Sequence, residues 1–439
     1  MAMGDLTQLA ERARNVLKEN DLGTSTKPAP SLYPHQWNWD SCFIAIGISR
    51  YDPARAAVEI LSLLRGQWAN GLVPQIVFSP EGSGYFPGPD VWQCHRSPDA
   101  PQDVETSGIT QPPVLATAAR RVFERFSDEG NGTAFLDDVF PKILSYHRFL
   151  YRDRDPDQSG LIAVVHPWES GLDNSPPYLD AGSRVHMTYK PKYERLDLLH
   201  VAAENRPTNK DYDLFVFLLE QMRAVSWDQA AYLKIAPLAV EDVLFNSILC
   251  RANDDLAAIA ALVEEDSSEI EGWNRRTRQA INDKLWDPER RTYYSYDRVS
   301  NRLLRDDTIA GLHTLWGGVA TEERAYPMID SWLTPDRFWP DGYPVPTTSV
   351  ASPYYNPENY WLGPTWVNTN WMVSQGLDTY GRPDLAQIIR SRTLDMVSRE
   401  GFREYYHPQT GEGFGTNSFS WSAALTLDWL PEMGVKLAP

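Results

Sequence analysis

The sequence is poor in cysteine, in positive charge and in long apolar runs, and each shortage excludes a class of protein. Its 439 residues include three cysteines, Cys42, Cys94 and Cys250, which lie far apart without paired spacing. A disulfide framework or a zinc site is therefore not expected, and three buried thiols are. The 41 basic residues are outnumbered by 59 acidic ones, and the net charge is -18. So negative a surface repels nucleic acid and anionic lipid.

Membrane insertion and secretion are also not expected. No apolar run approaches the roughly 18 residues of a membrane-spanning helix. Charged residues interrupt the first 21 positions, where a signal peptide would need an apolar stretch. We therefore predict a cytoplasmic protein with no membrane or nucleic-acid partner. The sequence leaves the oligomeric state open, a homo-oligomer included.

Aromatic residues are abundant by contrast. The chain has 16 Trp and 21 Tyr, and many of them lie in stretches rich in Pro and Gly rather than on helical stripes. Flat apolar faces with a polar edge suit the stacking of pyranose rings. A small-molecule sugar substrate is the natural hypothesis.

Most of the chain shows the apolar spacing of three and four residues that is typical of amphipathic helices. Strand signals are confined to residues 161–165 and to a hairpin formed by 293–296 and the stretch after Asn301. Helices are predicted near residues 5–20, 52–70, 113–125, 136–151, 210–225, 240–264, 268–285, 308–315, 322–333, 364–379, 383–400 and 420–430.

About a dozen helices without a sheet must bury their apolar stripes against one another, and two concentric rings of six do this for a chain of this size. We predict an all-α fold, an (α/α)6 barrel or toroid, with long aromatic-rich loops at one mouth. No linker divides the chain, so residues 1–439 are predicted to form a single catalytic domain. Loop insertions at about 70–112 and 166–210 would cap the active site.

Four groups of loop residues combine aromatics with carboxylates or amides. They are residues 33–40, residues 84–89 with 107–113, residues 168–176, and residues 359–366 with 404–411. Cleaving a glycosidic bond needs one carboxylic acid to protonate the leaving oxygen and one carboxylate to act opposite it. A carboxylate in a turn is more often a cap or a solvated side chain, so residue types alone indicate this class without establishing it.

Three of these stretches resemble glycoside hydrolase family 63, most closely its compact bacterial members, the mannosylglycerate and glucosylglycerate hydrolases. The resemblance runs from about Asp21 through Trp429. Its most specific parts are Trp-Glu-Ser-Gly-Leu-Asp-Asn-Ser-Pro ending at Pro176, Tyr-Trp-x-Gly-Pro-x-Trp ending at Trp366, and Glu-Tyr-Tyr-x-Pro-x-Thr-Gly ending at Gly411.

The resemblance implies roles for particular residues. Asp173 would be the general acid and Glu404 the general base of an inverting single displacement, with the two carboxyl groups about 6.5 to 9.5 Å apart. Arg206 and Tyr212 would grip the carboxylate of a glycerate leaving group. The sugar at subsite minus one would be held by Tyr33, Trp37, Trp39, Asp40, Tyr85, Gln111, Trp168, Gly171, Tyr360, Trp361, Gly363 and Trp366.

Two features limit these expectations. Leu362 stands where the family often has Arg, so a polar contact near that loop would be missing. Residues 155–160 resemble the start of a calcium loop, but His166 occupies the position that requires a bidentate Glu, and we predict a tight turn. No cofactor and no metal are predicted.

The leading hypothesis is an inverting glycoside hydrolase that cleaves the α-linked bond of glucosylglycerate or mannosylglycerate. Whether glucose or mannose occupies subsite minus one stays open. The first alternative is a trehalase-like or oligosaccharide α-glucosidase on the same barrel, whose leaving group is a neutral sugar. The second is a non-catalytic sugar-binding toroid.

Overall fold

The computed structural model describes residues 3–339 and 341–437, about half of which lie in helices. The helices are α1 Met3–Glu19, α2 Asn38–Ile48, α3 Pro53–Arg65, α4 Pro89–Trp92, α5 Leu115–Phe123, α6 Glu129–Asp153, α7 Pro176–Ser183, α8 Asn209–Ala224, α9 Gln229–Leu233, α10 Val243–Leu262, α11 Ser268–Ala280, α12 His313–Trp316, α13 Glu322–Trp332, α14 Val367–Thr379, α15 Pro383–Glu400 and α16 Ser420–Trp429.

Strands are short, each of two residues among those described. They are β1 Gln36–Trp37, β2 Ile76–Val77, β3 Ala163–Val164, β4 Val240–Glu241, β5 Trp286–Asp287, β6 Thr292–Tyr293, β7 Tyr296–Asp297, β8 Arg302–Leu303, β9 Tyr405–Tyr406 and β10 Gly413–Phe414. All pairings are antiparallel, and the order β3-β4-β7-β8 forms a four-stranded sheet. The predicted strand near 161–165 and the hairpin after residue 293 are confirmed as β3 and as β7 with β8.

Six helices form a closed ring of contacts. Helix α2 packs against α5, α5 against α10, α10 against α12, α12 against α14, α14 against α16, and α16 against α2. Helices α1, α3, α6, α11 and α15 each pack against one or two members of this ring. The predicted helical barrel is therefore confirmed.

Helix α2 is the one ring member that the sequence prediction missed. All eleven of its residues are buried, so no polar face alternates with an apolar one, and the helical period is lost. Asn38, Trp39 and Asp40, which were expected in a loop, form its first turn instead. Two other boundaries also shift, because the residues before α10 pair as β4 and α14 begins only at Val367.

The apolar core is continuous from Leu6 in α1 to Val435 near the carboxyl end. Cys42, Cys94 and Cys250 belong to it as free, buried thiols, as predicted. The predicted tight turn after residue 154 is also present, because the Asp155 carboxylate accepts from the backbone N–H groups of Ser159 and Gly160, each at 2.8 Å.

Candidate active site

One cavity collects most of the residues that the sequence singled out. Its volume is about 790 Å³ including the part open to solvent, enough for a ligand the size of a small glycoside. The lining residues that were predicted are Tyr33, Trp37, Trp39, Asp40, Tyr85, Gln111, Trp168, Gly171, Asp173, Arg206, Tyr212, Tyr360, Trp361, Trp366 and Glu404. Gly363 does not line it, since its Cα faces the backbone of Asn356, and neither does Leu362.

The first turn of α2 places two of these side chains. Asp40 is buried, and this burial raises the pKa of its carboxyl group well above the ordinary value. The negative charges of Glu404 and Asp173 raise it further. Gln111 is tied to the same turn, because its Oε1 accepts from the backbone N–H of Trp39 at 3.3 Å.

Glu404 lies immediately before β9 and is fixed from three sides. The Tyr33 hydroxyl donates to Oε1 at 2.7 Å, and the backbone N–H of Thr416 donates to Oε2 at 3.2 Å. Arg206 Nη1 lies 3.5 Å from Oε1. Burial raises the pKa of Glu404, while the Arg206 charge and the two hydrogen bonds act against that rise. These contacts stabilise the ionised form of a deeply buried carboxylate.

Gly415 faces the same carboxylate, and its φ of +69° lies in the left-handed region. A Cβ atom there would collide with Glu404 Oε2. If Glu404 is the general base that the sequence predicts, Gly415→Ala should lower kcat by up to about 100-fold, because a displacement of about 1 Å in a catalytic group has this cost. Steady-state kinetics on the purified variant would measure this loss.

Gly381→Ala is the matched control for Gly415→Ala. Gly381 has nearly the same φ, +68°, and apart from its two chain neighbours no residue comes within 4 Å of the position of an added Cβ. It therefore tests the backbone strain without the collision, and its kcat should stay near that of the wild type. Equal kinetics in the two variants would contradict the steric role of Gly415.

Asp173 follows the loop that contains Trp168 and Gly171. Its side chain keeps part of its surface accessible from the cavity, but the surrounding protein excludes most water. This desolvation raises the pKa of Asp173 to about 7. The positive charge of Arg206 opposes the rise, and the negative charge of Glu404 adds to it. Near neutral pH a substantial fraction of Asp173 is therefore protonated.

The residue after Asp173 joins two loops of the site. The side-chain amide of Asn174 donates to Asn359 Oδ1 at 2.8 Å, and Asn174 Oδ1 accepts from the backbone N–H of Trp361 at 3.1 Å. Asn359 in turn donates to the backbone carbonyl of Arg206 at 3.1 Å. The two amides thus hold the segments of Asp173, Trp361 and Arg206 in one arrangement.

Arg206 is a buried cation at the centre of the site. Its Nη1 donates to the Tyr33 hydroxyl at 3.0 Å, and its guanidinium lies 4.3 Å from the centroid of the Tyr360 ring. Tyr212 lines the same cavity from the first turns of α8, whose start is fixed by a capping box between Thr208 and Asp211. The predicted pair of Arg206 and Tyr212 is therefore brought together.

The sequence did not indicate a second acidic partner of Arg206, besides Glu404. Asp197 lines the cavity and accepts from Arg206 Nε at 3.3 Å. It also pairs with both ends of the Arg195 guanidinium, at 3.0 and 2.6 Å. The Arg195-x-Asp197 spacing lies in a stretch without a recognisable motif, so the sequence gives no signal for this contact.

Aromatic rings form much of the cavity wall. Trp361 and Trp366 stack with ring centroids 3.7 Å apart, and Trp366 stacks on Tyr405 at 4.8 Å. Trp421, in the first turn of α16, also lines the cavity and packs edge-on against Trp39. Trp421 was not predicted because it lies in a helix that reads as ordinary core.

No group of three or more His, Cys, Asp or Glu side chains in residues 3–339 and 341–437 is placed to hold a metal ion. Within the same residues, no helix is both long and apolar enough to cross a membrane.

The aromatic-lined cavity of this helical barrel contains the carboxyl groups of Asp40, Asp173, Asp197 and Glu404. Paired carboxyl groups of this kind suit the acid–base cleavage of a glycosidic bond. Residues 33–422 match the family model described as the mannosylglycerate hydrolase MGH1-like glycoside hydrolase domain. The chain belongs to this family and is a glycoside hydrolase.

Three of its relatives match along nearly their whole lengths. A mannosylglycerate hydrolase of Thermus thermophilus is 44% identical over 422 residues, which are 95% of this chain and 99% of the relative. A glucosylglycerate hydrolase of Mycolicibacterium hassiacum is 37% identical over 97% of this chain and 98% of its own. The crystal structure of a GH63 mannosylglycerate hydrolase from Thermus thermophilus with Tris and D-glycerate superposes with a TM-score of 0.91 at 43% identity, covering 96% of this chain and 99% of that one.

Proposed function

We propose that the protein hydrolyses the α-glycosidic bond of glucosylglycerate or mannosylglycerate, releasing the hexose and glycerate. The names of its relatives at 37% and 44% identity support these two substrates. The observation that carries the proposal is the shared cavity of Asp173, Glu404 and Arg206, which supplies an acid, a base and a cation to a ligand of this size.

We propose a single displacement with inversion. Asp173 gives its proton to the glycosidic oxygen as the bond from that oxygen to C1 breaks. Glu404 takes a proton from a water molecule whose oxygen bonds to C1 from the opposite face, so no covalent intermediate forms. The pKa of about 7 for Asp173 and the N–H and O–H donors around Glu404 support this assignment of acid and base.

Arg206 and Tyr212 are proposed to recognise the glycerate carboxylate. A guanidinium fork matches the geometry of a carboxylate. Arg206 is buried and already compensated by Asp197 and Glu404, so an incoming anion would share the cation with them. The hydroxyl of Tyr212 supplies a second donor at the same wall of the cavity.

Arg206→Ala is expected to damage the hydrolysis of a hexosylglycerate more than that of the matching hexosylglycerol, which is neutral. The difference in kcat/KM should be about 10- to 100-fold, because a hydrogen bond to a charged group contributes about 1.5 to 3 kcal/mol. Some loss on both substrates is expected, since Arg206 also contacts Glu404. Equal losses on the two substrates would remove the carboxylate role.

The remaining predicted residues are proposed to hold the hexose at subsite minus one. Asp40 would accept from two sugar hydroxyls, and Gln111 can both donate and accept. The aromatic residues would stack on the ring or bound it. Gly363 acts differently, since its contact with Asn356 limits it to shaping the backbone of the loop.

We infer that the barrel is an (α/α)6 toroid forming a single catalytic domain over residues 1–439. The closed ring of α2, α5, α10, α12, α14 and α16 supports an inner layer of six, and the helices packed against it support an outer layer. The loops at 70–112 and 166–210 are proposed to cap the site, because Gln75, Tyr85, Asp173 and Arg206 line the cavity from them. The free thiols support a cytoplasmic location.

A trehalase-like or oligosaccharide α-glucosidase activity is less supported, because the relatives at 37% identity and above carry hexosylglycerate names. A non-catalytic sugar-binding toroid is opposed by the presence of both carboxyl groups in the cavity. The test is a substrate panel of glucosylglycerate, mannosylglycerate, trehalose and isomaltose. Preferred turnover of either hexosylglycerate is expected, and preferred turnover of trehalose or isomaltose would overturn the substrate proposal.

A further inference from the structure

A second carboxylate lies in the loop of Asp173 but outside the cavity. Glu169 is fully buried and does not line the cavity. It forms an ion pair with Arg154, at the end of α6, whose side chain is 1% exposed. A buried pair of this kind contributes little net stability, so its presence four residues before Asp173 requires another explanation.

The Glu169 carboxylate accepts from four N–H groups. Arg154 donates through both Nη atoms, at 2.8 and 2.5 Å. The backbone N–H of Val165 donates at 2.9 Å and that of Thr110 at 3.4 Å. With its oxygens occupied and the cavity out of reach, Glu169 cannot exchange a proton with a substrate. Its contacts instead join separate segments of chain.

Both joined segments present side chains to the cavity. Thr110 directly precedes Gln111, while Glu169 lies between Trp168 and Gly171 in the loop that ends at Asp173. Arg154 extends the connection, since its Nη2 donates to Gln229 Oε1 at 2.8 Å and Gln229 Nε2 donates to the Gly108 carbonyl at 2.9 Å. The network therefore fixes the Asp173 loop relative to the segment that carries Gln111.

We propose that Glu169, held by Arg154, is a positioning residue for the general acid Asp173. This rests on the proposed acid role of Asp173. Glu169 never touches the substrate. It holds the loop so that the Asp173 carboxyl group faces the glycosidic oxygen, and a small displacement of a proton donor costs much of its catalytic effect.

The test compares two substrates that differ in their need for an acid. The leaving group of a hexosylglycerol is poor, so its oxygen must be protonated. The matching α-hexosyl fluoride releases fluoride ion, which leaves with little acid assistance. Glu169→Gln keeps the side-chain shape but replaces one acceptor by a donor. We expect kcat on the hexosylglycerol to fall about 10- to 100-fold, while KM and the rate on the fluoride stay near those of the wild type.

Asp255→Asn is the matched control. Asp255 in α10 is equally buried and paired with two arginines, Arg120 and Arg251, at 2.9 and 3.0 Å, and none of the three lines the cavity. The Asp255→Asn substitution should lower Tm without changing the rate on the hexosylglycerol or on the fluoride. If Glu169→Gln does not fold, Arg154→Lys, which keeps the charge but not the fork, takes its place in the same measurement.

The positioning role would be overturned if the rates of Glu169→Gln fell equally on both substrates. It would also be overturned if they stayed unchanged, as is expected for Asp255→Asn. Asp173→Asn is measured alongside to separate the two proposals. If Asp173→Asn loses activity on the hexosylglycerol alone and Glu169→Gln does not, only the positioning role fails. If Asp173→Asn shows no dependence on the leaving group, the acid assignment and the positioning role fail together.

Discussion

Replacing Asp173 by Asn is expected to lower kcat on a hexosylglycerate by about 10² to 10⁴-fold, the usual contribution of a general acid or base. Asn has nearly the same shape but carries no acidic proton, so the glycerate oxygen would have to leave as an alkoxide. The loss should be as large on the neutral hexosylglycerol, because both leaving groups need protonation. Steady-state kinetics on the two substrates would measure it.

The α-hexosyl fluoride separates lost acid catalysis from a damaged site. Fluoride leaves without a proton, so Asp173→Asn should retain most of the wild-type rate on this substrate. A comparable loss on the fluoride would contradict the acid role and indicate a general disturbance of the cavity.

The pH dependence provides a second readout of Asp173. Burial raises its pKa to about 7, and only the protonated form can donate. For the wild type, kcat/KM on a hexosylglycerate should therefore fall as pH rises through about 7. An alkaline decline that persists unchanged in Asp173→Asn would assign that titration to another group.

Glu404→Gln is expected to cost a similar factor of about 10² to 10⁴ in kcat, but with a different substrate dependence. The water must still be deprotonated when the leaving group is fluoride, so the loss should appear on the hexosylglycerate and on the fluoride alike. Gln can keep the hydrogen bond from Tyr33 through its carbonyl oxygen, which limits the structural disturbance.

On the fluoride, Asp173→Asn should stay active and Glu404→Gln should not. This contrast is the strongest check that Asp173 is the acid and Glu404 the base. A Glu404→Gln enzyme that recovers on the fluoride would make Glu404 the acid rather than the base. Binding of the hexose should survive in both variants, and calorimetry with the sugar product would confirm that the cavity is intact.

The sequence predicted which residues take part in the chemistry of the site better than it predicted how they are arranged. Trp168, Asp173 and Glu404 lie in stretches whose Gly, Pro and aromatic content departs from helical periodicity, which marks these stretches as candidate loops. The roles of the three residues were predicted only from the resemblance to glycoside hydrolase family 63. Helix α2 could not be predicted, because a segment buried on all sides has no polar face to show its period. Trp39 and Asp40 lie in its first turn, so their position in a helix could not be predicted either.

Other residues were missed because their roles depend on partners distant in the chain. Asp197 is assigned by its contact with Arg206, and Glu169 by the side chain of Arg154 and the backbone of Thr110. Glu169 lies in the same motif as Asp173, but the family resemblance singled out Asp173 alone. The contacts of Glu169 could be seen only in the tertiary structure.

The most direct test of the account is the configuration of the hexose at the moment of release. Proton NMR during the first minutes of hydrolysis of an α-linked hexosylglycerate distinguishes the two anomers before they interconvert. In the proposed mechanism Asp173 protonates the glycosidic oxygen, and a water molecule held by Glu404 attacks C1 from the opposite face. This mechanism predicts the β-anomer as the first product. Initial release of the α-anomer would contradict the single displacement.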